Sequence, residues 1–126
     1  MKLCRFKNAE GAVRVGLAID DDTIANLSAA GVESITSLLE DTNGTQQIRE
    51  LVGQDLPQLA LSEVKLLTPV EGQEVWAAGV TYLRSKKARM EESDFSANAY
   101  DLVYEAERPE IFFKSLSNKV VGPGEV

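Results

Sequence analysis

The strongest constraint on the fold is an alternation near the N-terminus. Val13, Val15 and Leu17 alternate with Arg14, Gly16 and Ala18, the period-2 pattern of a half-buried strand. An earlier apolar run, Met1 to Phe6, leads into it through Lys7-Asn8-Ala9-Glu10-Gly11. Asn and Gly suit a turn between paired strands, so an antiparallel hairpin is predicted. Asp20-Asp21-Asp22 makes a second turn, and Thr23 to Leu27 a third short strand. These aspartates lack the spaced Asp/Asn, Gly and terminal Glu of a calcium-binding EF-hand loop, so they read as a solvated turn.

After the strands the rhythm changes. Ile35, Leu38 and Leu39 form one apolar stripe and Ile48, Leu51 and Val52 another, which predicts two short helices within Ser34 to Gly53. Gly44 is expected to end the first in a left-handed conformation, and Thr45 to cap the second. Leu56 to Val64 reads as a connection. Val64 to Val70 reads as a strand stopped by Pro69, which has no N–H for a ladder. A domain boundary is placed here, giving 1–69 and 70–126.

Glu74 to Thr81 is apolar enough for a buried strand, with Trp76 in the core. Tyr82 to Ser93 suits a charged helix carrying Arg84, Lys86, Lys87 and Arg89. Phe95, Ala99, Leu102, Val103 and Ala106 follow a helical spacing, and that helix should stop near Arg108, because the residue before Pro109 avoids helical geometry. Glu110 to Ser115 is a further strand. Gly122-Pro123-Gly124 is a turn, with a strand beginning at Val126. The fold class is α+β.

The composition removes several functions. The net charge is −7, whereas nucleic-acid affinity comes from clustered Lys and Arg, so no nucleic-acid partner is expected. Histidine is absent, which excludes Ser-His-Asp and Cys-His mechanisms and imidazole-based zinc sites within this chain. Cys4 is the single cysteine and can form no internal disulfide. It reads as a small core residue in a protein of the reducing cytoplasm. No segment approaches the ~20 apolar residues that span a bilayer, and the N-terminus does not read as a signal peptide, so no membrane partner is expected.

Two segments carry a resemblance. The first is Pro69-Val70 with Glu74-Val75-Trp76-Ala77-Ala78-Gly79-Val80-Thr81-Tyr82. The second is Tyr104-Glu105-Ala106-Glu107-Arg108-Pro109-Glu110-Ile111-Phe112-Phe113-Lys114, followed by Asn118 and Val121-Gly122-Pro123-Gly124-Glu125. Together they resemble the fumarylacetoacetate hydrolase superfamily, in the branch of 2-keto-3-deoxy-sugar-acid (arabinonate-type) dehydratases; the opening Met1 to Phe6 also suits that branch. The resemblance implies a small N-terminal domain, then the start of a mainly β catalytic fold with a helical lid. It implies a homodimer acting on a small-molecule 2-keto acid with Mg2+, or Mn2+ or Ca2+. The metal ligands, a Glu-x-Glu pair and a later Asp, are expected downstream of Val126. The chain is thus expected to be an N-terminal portion, inactive alone and without a tightly bound metal. The superfamily's hydrolases carry a lid His where this sequence has Ser85, which favours dehydration over C–C hydrolysis.

On that resemblance Glu110 is the candidate acid/base, with Phe112 and Phe113 expected to shield it and raise its pKa. The full enzyme would dehydrate its substrate through a metal-stabilised enolate. Lys114, Tyr82 and Arg84 are candidates for substrate binding. Arg84, Lys86, Lys87 and Arg89 could also draw in an anionic substrate. The alternatives are a C–C hydrolase or decarboxylase of the same superfamily, and a non-catalytic assembly or partner-binding domain.

Overall fold

The computed structural model describes residues 1–79, 82–92 and 97–125. Val80, Thr81, Ser93, Phe95 and Val126 lie outside the described residues, as do the side chains of Ser85, Lys86, Arg89 and Ala99. The chain forms two compact units, Met1–Gly72 with Asn118–Val126, and Gln73–Ser117.

The predicted hairpin is present. β1 (Lys2–Lys7) pairs antiparallel with β2 (Val13–Ala18), with Arg5 opposite Val15 and Cys4 opposite Gly16. Gly11, at φ 79°, takes the left-handed position of the turn, which costs glycine little. β3 (Thr23–Asn26) follows after a turn in which the Asp20 carboxylate accepts the Asp22 N–H at 2.9 Å. That bond is the main reason the Asp20 carboxyl is held below its usual value. The sheet has the order β4-β3-β2-β1-β5, with β4 at Gln58–Ala60 and β5 at Lys65–Leu67. β4 falls in the segment expected to be a plain connection. It has three residues and follows Pro57, so alternation cannot reveal it, and pairing with β3 supplies its order.

Both sheet faces are apolar at their centre, rather than one. Val15 and Leu17 join Leu27, Val32, Ile35, Leu38, Ile48 and Leu51 in one cluster beneath the helices. On the opposite face Phe6 and Ile24 close over Gly16, where an added Cβ would lie 3.0 Å from the Phe6 ring and closer still to Ile24. Cys4 also meets this space and is half-buried. Burial raises its thiol pKa, against a lowering hydrogen bond with the Gly16 backbone.

α1 (Ile35–Glu40) and α2 (Gly44–Val52) form as the spacing predicts, but each stripe is narrower. Leu39 and Val52 are exposed, because the next residue along a helix turns ~100° away from the one before it. Ser34 caps α1 by accepting the Ser37 N–H at 2.9 Å. The expected roles of Gly44 and Thr45 are corrected. Gly44 is the first residue of α2, is not left-handed, and follows Asn43 as N-cap. Its absent side chain serves packing instead, since a Cβ there would overlap the Leu38 carbonyl oxygen.

Glu71 ties the end of this unit to α1. Its carboxylate accepts the Ile35 N–H at 3.2 Å, the Thr36 N–H at 2.8 Å and the Thr36 hydroxyl at 2.5 Å. It also faces Arg5 Nε at 3.4 Å, while Arg5 Nη1 donates to the Thr68 and Val70 carbonyls. Burial pushes the Glu71 pKa up, but the bonds from Thr36, Ile35 and Ser34 together outweigh it and hold the carboxyl low. The segment Asn118–Val126 packs with this first unit. Gly122 to Glu125 forms a turn closed by a 3.2 Å bond between the Glu125 N–H and the Gly122 carbonyl, with Gly124 at φ 77°. Pro then Gly at the centre suits a type II turn. Lys65 holds the turn through Glu125 at 2.6 Å, the leading reason that this carboxyl is lowered. A Cβ on Gly122 would meet the Thr68 nitrogen at 3.1 Å.

The second unit is a two-stranded ribbon, β6 (Val75–Ala78) with β7 (Ile111–Ser115), joined through α3 (Leu83–Glu92) and α4 (Ala97–Glu105). Strands and helices form where expected within the described residues, although β6 is not the buried strand expected, since Trp76 and Ala78 are exposed, and the fold is α+β. No helix among the described residues is long and apolar enough to cross a membrane.

Candidate functional site

The ribbon is antiparallel, with Trp76 opposite Phe113, Ala77 opposite Phe112 and Ala78 opposite Ile111. Successive strand side chains point to opposite faces. Glu110 and Phe112 therefore share one face, and Ile111 and Phe113 the other, while a register shift between Val75 and Trp76 leaves Lys114 without a partner and interrupts the alternation there. The pairing extends past β6, because the Gly79 N–H donates to the Glu110 carbonyl at 2.7 Å. A Cβ on Gly79 would lie 3.5 Å from Phe112 Cε1 and 3.6 Å from Glu110 Oε2. The Glu110 carboxylate and the Phe112 ring therefore flank the same backbone point. Lys114 Nζ stands over the Phe112 ring at 6.0 Å from its centroid, the outer limit of cation–π attraction.

The result is a row: a carboxylate, an aromatic ring and an ammonium. Glu110 and Phe112 are two positions apart, so their Cα atoms are separated by ~7 Å along the strand. One end can accept or return a proton and the other can hold an anion, with an apolar surface between.

Two expectations are corrected. Phe112 and Phe113 do not enclose Glu110: they are 39% and 48% exposed, and Glu110 and Lys114 are exposed too. A two-stranded ribbon has no second layer of its own to exclude water. Trp76 is not core, being 57% exposed. It packs edge-to-face on Phe113 at 6.0 Å and donates its indole N–H to Glu74 at 3.1 Å.

Tyr82 and Arg84 are exposed at the start of α3. Among the described residues no hydrogen bond or ion pair joins them to Glu110 or Lys114. Gly79 is the member of this arrangement that the sequence did not single out, although it lies within the motif ending at Tyr82. Among the described residues no group of three or more His, Cys, Asp or Glu is placed to hold a metal ion. The described donors do not gather into a site that fits the implied divalent ion.

No family model matches the chain. Curated relatives do. It is 51% identical over 57 residues to a protein of Haloferax volcanii named probable 2-keto-3-deoxyxylonate dehydratase, covering 45% of this chain and 19% of that relative. It is 34% identical over 73 residues to 2-dehydro-3-deoxy-D-arabinonate dehydratase of Saccharolobus solfataricus, covering 56% of this chain and 24% of that relative. The chain thus matches between 19% and 24% of the length of these relatives. Both are named as dehydratases of 2-keto-3-deoxy sugar acids, the branch that the two motifs resemble.

Proposed function

We propose that this chain contributes the acid/base wall of a dehydratase acting on a 2-keto-3-deoxy sugar acid. The observation that carries the reading is that Glu110 and Phe112 share one ribbon face with Lys114 Nζ standing over the Phe112 ring, in a chain similar to two proteins with such names. Loss of water from the substrate breaks a C–H bond at C3 and the C–O bond at C4. The C3 proton leaves as an electron pair moves toward the 2-keto group, and the departing hydroxyl must take up a proton. Glu110 is the proton carrier for one or both transfers. Lys114 attracts the substrate carboxylate, and the Phe112 ring gives the intervening carbons an apolar surface.

The helices α3 and α4, between the two strands, are the lid in this reading, with Tyr82 and Arg84 at its leading end. Closure over the ribbon would supply the exclusion of water that the exposed face lacks. A divalent ion, Mg2+ above all, belongs to the proposal as a Lewis acid held by residues other than those described. The homodimeric state, the mainly β catalytic fold and the cytoplasmic location belong to it in the same way.

A graft tests the reading. The aligned segment of this chain replaces its counterpart in the Saccharolobus solfataricus relative, and loss of 2-dehydro-3-deoxy-D-arabinonate is followed by mass. Turnover should survive the graft. Glu110→Gln should then lower kcat by about 100-fold to 10,000-fold, the range for a removed acid/base, while Lys114→Met chiefly raises KM. Unchanged turnover in Glu110→Gln would remove Glu110 from the reaction.

A further inference from the structure

Gly79 is a glycine without an obvious structural reason to be one. Its φ is outside the positive region that Gly11, Gly31 and Gly124 occupy, so its backbone does not demand the residue. Nor is it crowded. The nearest atoms to an added Cβ would be Phe112 Cε1, Glu110 Oε2 and the Glu110 carbonyl oxygen at 3.5, 3.6 and 3.7 Å, ordinary contact distances. Gly16 and Gly44 differ, since a Cβ at either would collide with neighbours. What the absent side chain leaves is a gap one carbon wide, bordered by the candidate acid/base and the edge of an aromatic ring.

We infer that Gly79 is a positioning and specificity-determining residue, whose missing side chain keeps open the space where the carbon chain of a 2-keto acid lies against the Glu110 carboxylate. The inference rests on the proposed role of Glu110 and deepens it. A methyl at this point would touch Glu110 Oε2 and displace whatever carbon should approach it. Its backbone N–H, by contrast, is already committed to the Glu110 carbonyl and is not a ligand donor. Gly79 therefore acts by shape, fixing the strand beside Glu110 and leaving its face bare.

The first experiment uses the 126-residue chain and 2-oxobutanoate as the probe, followed by NMR. Binding should shift the Gly79 amide and the Phe112 ring signals. Gly79→Ala should weaken that binding, and Gly79→Val should weaken it by about tenfold or more, as a displaced contact surface predicts. In Gly79→Ala the new methyl should show contacts to the Phe112 ring, which also establishes that the ribbon is intact. No response at Gly79 in the unsubstituted chain, or equal binding in Gly79→Val with the ribbon intact, overturns the inference.

The second uses the grafted dehydratase. Gly79→Ala should lower kcat more than it alters KM, and should move the acid limb of the kcat/KM profile to higher pH, because the methyl removes water beside the carboxylate. A purely structural glycine would leave that limb in place. If Glu110→Gln is inactive while Gly79→Ala matches the graft in kcat and pH profile, the inference fails and the proposed function stands. If Glu110→Gln is fully active, the proposed function fails, and the inference falls with the role it serves.

Discussion

Phe6 and Phe113 are the same side chain set in strands of one polypeptide, and they meet opposite fates. Phe6 is 0% exposed and Phe113 48%. β1 is paired on both sides, by β2 and β5, so Phe6, on the face away from the helices, is flanked by Gly16 and Ile24 on one side and by its partner Leu66 on the other. β7 is paired on one side alone, by β6. Every fully buried hydrophobic residue described belongs to the first unit, while Trp76, Ile111, Phe112 and Phe113 of the ribbon remain open to water. The difference teaches that apolar content does not decide burial. Flanking strands with their side chains do, and each strand of a two-stranded ribbon has one flank open.

The comparison can be broken most directly at Phe6. Phe6→Ala should cost about 3–5 kcal/mol, the usual range for emptying a buried aromatic site. Trp76 and all three tyrosines lie in the second unit's stretch of sequence. Far-UV circular dichroism during urea unfolding should therefore show the loss, while Trp76 fluorescence tests whether the ribbon follows. Coincident transitions would show that the two units unfold as one.

Gly44→Ala comes next, with a loss of about 1–3 kcal/mol from overpacking against the α1 backbone, read from the urea midpoint. Glu71→Gln should cost about 1–2 kcal/mol near neutral pH, because a charged acceptor of several hydrogen bonds is replaced. Its sign with pH is fixed by the lowered carboxyl. The contribution is present above the ordinary value of 4.5 and is lost as pH falls through the lowered folded value. Urea titrations of the two forms should therefore converge in acid. A gap that widens in acid would contradict the hydrogen-bonding account.

The smallest effect belongs to the ribbon. Phe113→Ala should cost roughly 0.5–1.5 kcal/mol, the scale of an exposed edge-to-face pair, seen as a change in Trp76 emission. A cost approaching that of Phe6→Ala would mean that the ribbon is covered in solution.

Much of the first unit was legible in its sequence. Alternation through Val15 and Leu17 located the hairpin, and the spacing of Ile35, Leu38, Ile48 and Leu51 located the helices, because those side chains face a core the same segment helps to build. β4 was not legible, as three residues after Pro57 carry no period. Gly44 was misread because the sequence shows a permissive residue without showing what approaches it. The site was legible in part. The motif resemblance singled out Glu110 and Lys114, and the strand around Phe112 was expected, but the register shift that interrupts the alternation at Lys114 is set by the partner strand. The placement of Gly79 beside them depends on a register set across two helices, and the exposure of Trp76 depends on a layer that local sequence cannot report.

The clasp around Thr68 has a consequence for engineering. Arg5 grips the Thr68 and Val70 carbonyls where the polypeptide departs the larger sheet, and Gly122 rests on the Thr68 nitrogen where it comes back. Departure and return are thus stitched to the same few atoms, so the stretch between them is a cassette. Replacing Gln73–Ser117 by a flexible bridge should leave the five-stranded scaffold folded, ready to carry a foreign ribbon in its place.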